Sequence, residues 1–420
     1  MKQKIIILAI ILIATFLLTA CAGAEGPEGQ AGPAGPPGPE GPQGPRGEEG
    51  PAGPPGKDAI AQGFGADYVG SQICTGCHTE ISELFMQSGH AYKLNPVDDG
   101  QPPEYPFTNI ESPPEGYTWD DILYVIGGYN WKARFVGKDG YIITNPPGET
   151  GVTDFLNQYN FANKDVGMDA HWVTYQSGEE GVQYTCGSCH TTGYNPTAVN
   201  ELEGIVGDWA EPGIMCEACH GPGSLHVNNP RGVEMKINRD GEECGVCHRR
   251  GEIEKVDATD GFIQHHEQYE ELFQSKHITI DCVICHDPHA GVVQLRQSDS
   301  NTTRTSCENC HFKQQQGNHF RLPCIECHMP RITKSAVGDI SKFTGDIRTH
   351  LMAIDPTQID TFDEDGSLVS GQVGLDFACK HCHIPGSGFE KADEALIDMA
   401  VGIHVPEPQE TPEQETTEGE

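Results

Sequence analysis

Apolar side chains, aromatic rings and positive charges are all scarce in this chain of 420 residues. Hydrophobic residues make up 36% and aromatic residues 7%, and the mean hydropathy is −0.46, so the side chains alone offer a thin core for this length. Lysine and arginine number 26 against 62 aspartates and glutamates, a formal net charge of −36. Such a surface repels nucleic acid and anionic lipid headgroups, so no nucleic-acid partner is expected, and it favours cationic or metal-bearing partners.

A long apolar run is also missing. The run near the N-terminus extends from Ile5 to Leu18, follows two lysines and ends in Leu-Thr-Ala before Cys21. It is short for a membrane-spanning helix, and its features describe a secretory signal over residues 1–20. Because the residues before Cys21 resemble a bacterial lipobox, we expect an exported protein, lipid-anchored through Cys21 to the outer face of the cell envelope. A plain signal peptide or a single anchor helix is the alternative.

Glycine recurs at every third position through eleven Gly-X-Y triplets, residues 26–58. Glycine is required at each third position where three polyproline-II chains share an axis, so residues 21–65 are expected to form a lipidated, collagen-like stalk and linker. At about 3.1 Å per residue the triplets would extend roughly 100 Å. This pattern predicts a homotrimer or a filament, with a single-chain spacer as the alternative. Residues 405–420 carry six glutamates and should form an acidic, disordered tail.

Sixteen of the 17 cysteines fall into eight C-x-x-C-H motifs within the domain expected at residues 66–404. Two cysteines three apart form thioethers to a c-type haem, and the next histidine supplies the proximal nitrogen to its iron. Zinc requires no particular residue after the second cysteine, and a disulfide framework leaves the repeated histidine unexplained. We therefore expect eight haem c groups. The motifs are Cys74/Cys77/His78, Cys186/Cys189/His190, Cys216/Cys219/His220, Cys244/Cys247/His248, Cys282/Cys285/His286, Cys307/Cys310/His311, Cys324/Cys327/His328 and Cys379/Cys382/His383.

Eleven histidines remain as candidates for the sixth position on these irons. They are His90, His171, His226, His265, His266, His277, His289, His319, His350, His381 and His404. Eight bis-histidine haems would use eight of them. Because methionine ligands raise the reduction potential, a histidine-rich set indicates low-potential haems.

Several segments resemble the cytochrome c-554 type of multihaem domain, within the wider set that includes hydroxylamine oxidoreductase and the pentahaem nitrite reductases. The resemblance extends over about residues 68–328 and implies His90 and His226 as distal ligands. It is carried by Tyr68-Val69-Gly70-Ser71, Phe85-Met86-Gln87-Ser88-Gly89-His90, Cys186-Gly187-Ser188-Cys189-His190-Thr191-Thr192-Gly193-Tyr194 and the stretch from Gly213 to His226.

A second resemblance concerns the fifth motif. Phe273-Gln274-Ser275-Lys276-His277 ahead of it is similar to a unit of decahaem electron conduits, which suggests His277 and His289 as ligands. We expect four further histidines to complete the distal set: His171, His266, His319 and His350.

The motif region predicts a mostly irregular and α-helical multihaem cytochrome c domain organised around stacked haems. One or two helical turns are expected at each motif. The gap at residues 106–184 differs, because Trp131–Phe135 alternates, residues 137–140 form a turn, and residues 141–144 return. This pattern predicts a small β-hairpin that packs over the early haems, with its aromatic residues in the core.

Three functions fit these features. The first is an electron conduit in extracellular or respiratory electron transfer, whose partners are redox proteins or extracellular acceptors such as metal oxides. The second is an enzyme acting on a small nitrogen or sulfur compound at one five-coordinate haem. The third is a subunit of a conductive surface appendage. All eight motifs end in histidine, without the lysine of one nitrite reductase motif, so the conduit is favoured and no catalytic residue is assigned.

Overall fold

The computed structural model describes residues 65–265, 267–312, 319 and 321–404. All described residues belong to one compact unit. The expected signal peptide, Cys21, the stalk, the acidic tail and His266 lie outside the described residues. Within them, no helix combines the length and apolar character needed to cross a bilayer.

Short helices surround the motifs, as expected from the sequence. The α-helices are α1 (Ser71–Thr75), α2 (Thr79–Phe85), α3 (Gly187–His190), α4 (Cys216–His220), α5 (Ser224–Asn228), α6 (Gly241–Gly245), α7 (Gln268–Gln274), α8 (Cys282–Cys285), α9 (Val292–Gln297), α10 (Ile325–His328) and α11 (Asp393–Gly402). Single 3₁₀ turns occupy Trp119–Asp121, Lys276–Thr279, Cys307–Asn309 and Ile340–Lys342, and a π-turn at Asp376–Lys380 contains the first cysteine of the last motif.

The gap before the second motif forms a five-stranded antiparallel sheet in the order β1-β2-β3-β4-β5. Its strands are β1 (Leu94–Pro96), β2 (Ile122–Gly127), β3 (Lys132–Gly137), β4 (Gln158–Asn160) and β5 (His171–Val173). Gly127 ends β2 with a φ of +74°, and a Cβ there would lie 2.7 Å from the carbonyl oxygen of Lys132, so this tight turn requires glycine.

The predicted hairpin is present, with β3, the central strand of this sheet, as its first arm. Val136 pairs with Ile142 across the turn, and the amide of Ile143 donates to the carbonyl of Phe135 at 2.9 Å. The main partner of β3 is nevertheless β2, which the sequence pattern did not identify as a strand. Phe135 is fully buried in a core with Ile122 and Val125, as expected for its aromatic ring.

A second sheet, absent from the prediction, follows the fourth motif in the order β11-β10-β9-β8. It comprises β8 (Ala258–Thr259), β9 (Phe262–Gln264), β10 (Thr333–Asp339) and β11 (Thr344–Ile347), with a parallel pairing between β9 and β10. A small pair, β6 (Thr191–Thr192) and β7 (Glu211–Pro212), joins the second and third motifs. The expectation of a mostly irregular and α-helical domain therefore becomes a fold of mixed short helices and sheets.

The two larger sheets touch along β3 and β10. The ammonium of Lys132 donates to the carbonyl of Ser335, and the amide of Asn160 donates to the carbonyl of Ala336 at 3.5 Å. Beside them, the buried carboxylate of Asp346 accepts backbone N–H groups of Ser335, Ala336 and Val337 at 2.7–2.9 Å. These contacts hold the first residue of β3 and the last residue of β4 against the second sheet.

Candidate haem and electron-transfer sites

Each motif places its histidine beneath its two thiols through a local backbone turn. In the first motif the amide of His78 donates to the carbonyl of Cys74 at 2.9 Å. The turn brings the imidazole to the side of the cysteine pair where a covalently attached porphyrin would carry its iron. The same bond recurs at 2.8–3.0 Å in the motifs that end at His248, His286, His311, His328 and His383.

Seven of the eight motif histidines face a second histidine. The ring centres are 5.8–6.3 Å apart in His78–His226, His248–His90, His220–His289, His311–His277, His286–His350, His383–His319 and His328–His404.

This spacing fits an iron atom between the two rings. A metal bound to two imidazole nitrogens at about 2 Å each separates the ring centres by about 6 Å. The residues present therefore fit bis-histidine haem at these seven motifs, and the cysteines beside them would hold the porphyrin.

Six of the expected distal histidines occupy such facing positions: His90, His226, His277, His289, His319 and His350. His171 does not lie opposite a motif histidine within the described chain; it lies on β5, and its Nδ1 is 2.8 Å from the carbonyl oxygen of Asp169. His404, left over in the sequence analysis, faces His328 instead. The sequence around His404 gives no signal for this pairing, because tertiary structure brings His404 and His328 together.

Backbone carbonyls orient several of the ligand rings by accepting from Nδ1. These contacts join His190 to Lys93 at 3.0 Å, His220 to Lys236 at 2.7 Å, His226 to Val233 at 2.7 Å and His328 to Met352 at 2.8 Å. A bond at Nδ1 leaves Nε2 to the metal and fixes the ring's rotation.

Neighbouring motifs lie close together at their cysteines. Cys74 lies near Cys216, Cys189 near Cys247, Cys244 near Cys282 and Cys307 near Cys324, and in each of these pairs one thiol influences the pKa of the other. Cys219 and Cys244, Cys285 and Cys310, and Cys327 and Cys379 interact electrostatically. Numbered along the sequence, the motifs therefore follow the path 1-3-4-5-6-7-8, and motif 2 is attached as a branch to motif 4. Porphyrins held by these cysteines would lie close to one another along the same path.

The second cysteine of the first motif, Cys77, stands apart from this series. The structure leaves Cys77 exposed, whereas its partner Cys74 is half-buried against the third motif, and among the described residues no contact joins Cys77 to a cysteine of another motif. The amide of Cys77 still donates to the carbonyl of Cys74 at 3.1 Å, which keeps the turn of the motif. Haem attachment through Cys77 therefore stays a prediction from the motif, at a haem edge open to solvent.

The cysteines also bear on the disulfide alternative. All sixteen motif cysteines are free thiols within the described chain, and none is paired with another in a disulfide. Cys382, the second cysteine of the motif at the other end of the path, is exposed like Cys77. Cys219, Cys307 and Cys310, within the path, are exposed too, so exposure does not distinguish its ends.

The second motif differs from the other seven. No described histidine ring faces His190, whose Nδ1 is bonded to the carbonyl of Lys93. Burial first, and then the positive charges of Lys93, Arg134 and Lys132, lower the pKa of its imidazole to about 4. Three cationic side chains thus act on one motif histidine in a strongly acidic protein.

Strand β3 aims two of these cations. Ala133 and Phe135 point into the core, so Lys132, Arg134 and Val136 point to the opposite face of the strand. On that face Val136 packs in a cluster with Tyr184, against which Cys186 of the second motif also packs. The sheet therefore covers the second motif with a face that carries both cations.

Neighbouring side chains hold these cations in place. The guanidinium of Arg134 lies 3.3 Å above the ring of Tyr175, and its Nε donates to Oε1 of Gln158 at 2.6 Å. Burial first, and then the charge of Arg134, lower the pKa of Lys132 to about 7, with Asp346 acting in the opposite direction. Arg250 acts on both cations and on Cys189. We name Lys93, Lys132, Arg134 and Arg250 the cationic patch.

Sequence reasoning missed this patch, although one signal for it exists. Lys132 and Arg134 alternate with Ala133 and Phe135, so a strand necessarily directs the charges away from the core. From this alternation, the sequence analysis predicted only that the aromatic residues are buried. Nothing in it identifies His190 as the group beneath the charged face.

Comparisons with known proteins agree with this arrangement. The model of the family cytochrome c554 and c-prime matches residues 157–221, whereas no curated protein matches the chain. The octaheme sulfite reductase MccA (form II) of Wolinella succinogenes is 17% identical, with a TM-score of 0.54 over 81% of this chain and 72% of that one.

Two further solved structures have lower TM-scores. The outer cell wall cytochrome OcwA is 19% identical, with a TM-score of 0.48 over 79% of this chain and 86% of that one. The undecaheme cytochrome from the S-layer of Carboxydothermus ferrireducens is 17% identical, with a TM-score of 0.35 over 78% and 52%. The family match over residues 157–221, the fold shared with the Wolinella protein and the eight C-x-x-C-H motifs make this chain similar to multihaem c-type cytochromes, and the residues of the motifs fit haem c.

Proposed function

We propose that this protein is an exported electron-transfer protein that carries out redox chemistry on a small oxyanion of nitrogen or sulfur at the haem of its second motif. The observation that carries the proposal is the cationic patch around His190. Four of the 26 basic residues of a chain with net charge −36 gather at this one motif. Lys93, Lys132 and Arg134 are largely removed from water, and Asp346 is the carboxylate that acts on Lys132. Burying like charges together is unfavourable, and a small anion would offset the positive charge that remains.

The second motif also has a suitable position in the path of motifs. It is reached only through the contact between Cys189 and Cys247 among the motif contacts of the described chain, so it forms the end of a branch. Electrons delivered from either direction along the main path would arrive by way of the fourth motif. An end position with one connection suits a site where electrons leave the chain.

The residues of the site have separable roles. A haem at the second motif would supply electrons and an iron position facing the sheet, while the protein binds and orients the anion. The planar guanidinium of Arg134 is suited to two parallel hydrogen bonds to oxygen atoms, and its stacking on Tyr175 fixes that plane. Lys132 adds a compact charge that can also give up a proton, because its pKa is lowered to about 7.

The Wolinella protein is an octaheme sulfite reductase, and the two chains share a fold. Sulfite is therefore the first anion to test. Nitrite is the second, because it is also small, anionic and rich in oxygen. Both probes can ligate an open iron and both would meet the cationic patch.

The conduit is the second candidate. It is favoured by the seven facing histidine pairs and by the unbroken series of motif contacts from the first motif to the eighth. In that function the cationic patch would serve only to raise the potential of one haem. Both candidates use the same chain of motifs and differ only at His190.

EPR of the ferric holoprotein separates the two candidates. The enzyme predicts one high-spin haem whose signal changes when sulfite or nitrite is added, and the conduit predicts low-spin haems that ignore both anions. His226→Ala is the matched control, because it opens a face at the first motif, where the cationic patch is absent. The new high-spin haem should bind either anion much more weakly than the second motif does. Equal binding at both haems would contradict a role for the patch.

Location and assembly complete the proposal. We propose that Cys21 is lipidated, that the protein is anchored at the outer face of the cell envelope, and that residues 26–58 join three chains. The regular glycine repeat and the lipobox-like residues support these assignments. The electron donor or acceptor would then be a second redox protein or an extracellular acceptor.

A further inference from the structure

Helix α7 carries two side chains that reach the haem-ligand histidines of neighbouring motifs. Oε1 of Gln268 lies 3.1 Å from Nδ1 of His248, in the fourth motif. Oε2 of Glu271 accepts the backbone N–H of His350 and lies 3.6 Å from Nδ1 of the same residue. His350 faces His286 of the fifth motif at 6.0 Å. One helix therefore supports two adjacent motifs, with a neutral group at one and a carboxylate at the other.

Glu271 is buried and has little compensation for its charge. It has no exposed surface, and its other oxygen accepts the hydroxyl of Thr333 at 3.0 Å. Among the ion pairs of the described residues, His350 is its one partner. A carboxylate that is removed from water and not matched by lysine or arginine acts strongly on its neighbours, because the local dielectric is low.

We propose that Glu271 lowers the reduction potential of the haem held between His286 and His350, and so makes the fifth motif the low-potential link of the chain. A negative charge beside a ligand imidazole increases the ligand's basicity and favours the oxidised iron, which carries one more positive charge. The contact of 3.6 Å between Oε2 and Nδ1 is longer than a hydrogen bond, so the effect is that of a charge near the ring.

The other ligand contacts differ from this one. Nδ1 of His190, His220, His226 and His328 meets neutral backbone carbonyls. Nδ1 of His289 also lies 3.6 Å from a carboxylate, that of Asp287, but both side chains are about one-third exposed and water screens the charge. Glu271 is thus the buried carboxylate that acts on a facing histidine pair in the described chain.

The fifth motif lies between two groups of motifs in the path. Cys282 contacts Cys244 of the fourth motif, and Cys285 interacts with Cys310 of the sixth. A low-potential haem here separates motifs 1–4, which include the branch to His190, from motifs 6–8. An electron that crosses between the two groups must first reduce this low-potential haem, which is unfavourable. The haems within each group are therefore reduced together. This inference holds whether or not His190 binds an anion.

The test is an EPR-monitored redox titration of the holoprotein. Glu271→Gln should increase the reduced-to-oxidised ratio of one haem at least tenfold at a fixed potential, a shift of about 59 mV for a one-electron couple. The affected haem should be the one that His350→Ala converts from low spin to high spin. Gln268→Glu is the matched control on the same helix and should lower the potential of a different haem, that of His248.

A further variant keeps the test informative if Glu271→Gln does not fold. Glu271→Asp withdraws the carboxylate by one methylene and should shift the same haem upward by a smaller amount. The proposal is overturned if folded Glu271→Gln leaves every potential unchanged. It is equally overturned if Glu271→Asp and Gln268→Glu both fold and neither moves a potential.

Discussion

Replacement of Arg134 by methionine tests the proposed function most directly. The substitution removes one positive charge from the face of β3 that covers the second motif, while a methionine of similar length preserves the apolar contact with Tyr175. It also leaves Oε1 of Gln158 without the donor that now lies 2.6 Å away. We expect weaker binding of sulfite and nitrite to the ferric protein and unchanged signals from the other haems.

The expected magnitude follows from the geometry. A unit charge about 4 Å from an anion contributes about 4 kcal/mol at an effective dielectric constant of about 20. Desolvation of both groups reduces the net contribution to about 1.5–3 kcal/mol, the range for a hydrogen bond to a charged group. Affinity should therefore fall by roughly 10- to 150-fold. Arg134→Lys keeps the charge but loses the planar fork, so it should recover only part of the loss.

The assay is a spectroscopic titration of the purified ferric holoprotein with each anion. Arg296→Met is the control for charge removal elsewhere, because Arg296 lies in a partly exposed ion pair with Asp165, on a different element. It should bind both anions as the unaltered protein does. An Arg134→Met variant with intact low-spin signals and unchanged anion affinity would refute the reasoning, since the charge would then have no anion to stabilise.

Three further outcomes are expected. Anion affinity should fall as pH rises through about 7, because the lowered pKa of Lys132 removes its charge there, and in Lys132→Arg this decrease should disappear in a pH series of the same titration. Phe135→Ala should cost about 3–5 kcal/mol in denaturant unfolding, because the ring is fully buried; a loss under about 1 kcal/mol would contradict its place in the core. Sedimentation should give three chains for the full-length protein and one after deletion of residues 26–58, with the same haem spectra; a full-length monomer would refute the triple helix.

The sequence predicts local features of this protein well, and the motifs show why. A proximal histidine and its cysteines are fixed by five consecutive residues, so the helical turns at the motifs were expected and are present. A distal histidine depends on tertiary structure, because His404 meets His328 only after the intervening sheet has folded. His171 stays a prediction as a ligand, because it lies on β5 and no ring contact joins it to a motif histidine within the described chain.

The sheets show a second limit. Strands β8 and β9 form a hairpin around Asp260-Gly261, a turn signal that the sequence-based prediction did not use. Strand β9 also pairs in parallel with β10 across the three intervening motifs, and no local signal marks that pairing. The strand β3 was recognised from its alternation, but its partner β2 was not, although Ile122–Gly127 is rich in branched residues. The hairpin prediction placed Lys132 and Arg134 on one strand, but it did not predict which side chains and which motif surround them.

The stability of the domain and the geometry of its second motif depend on the same strand. Phe135 anchors β3 in the core, and the strict alternation of a strand then leaves Lys132 and Arg134 no other face to occupy. The bonds from Lys132 and Asn160 to β10 fix the strand's end against the second sheet. A mutation in β10 that breaks this contact would therefore move the cations before it unfolded the protein. Because the second sheet is assembled from segments on both sides of motifs 5–7, the charges at His190 are set by parts of the chain that carry other haems.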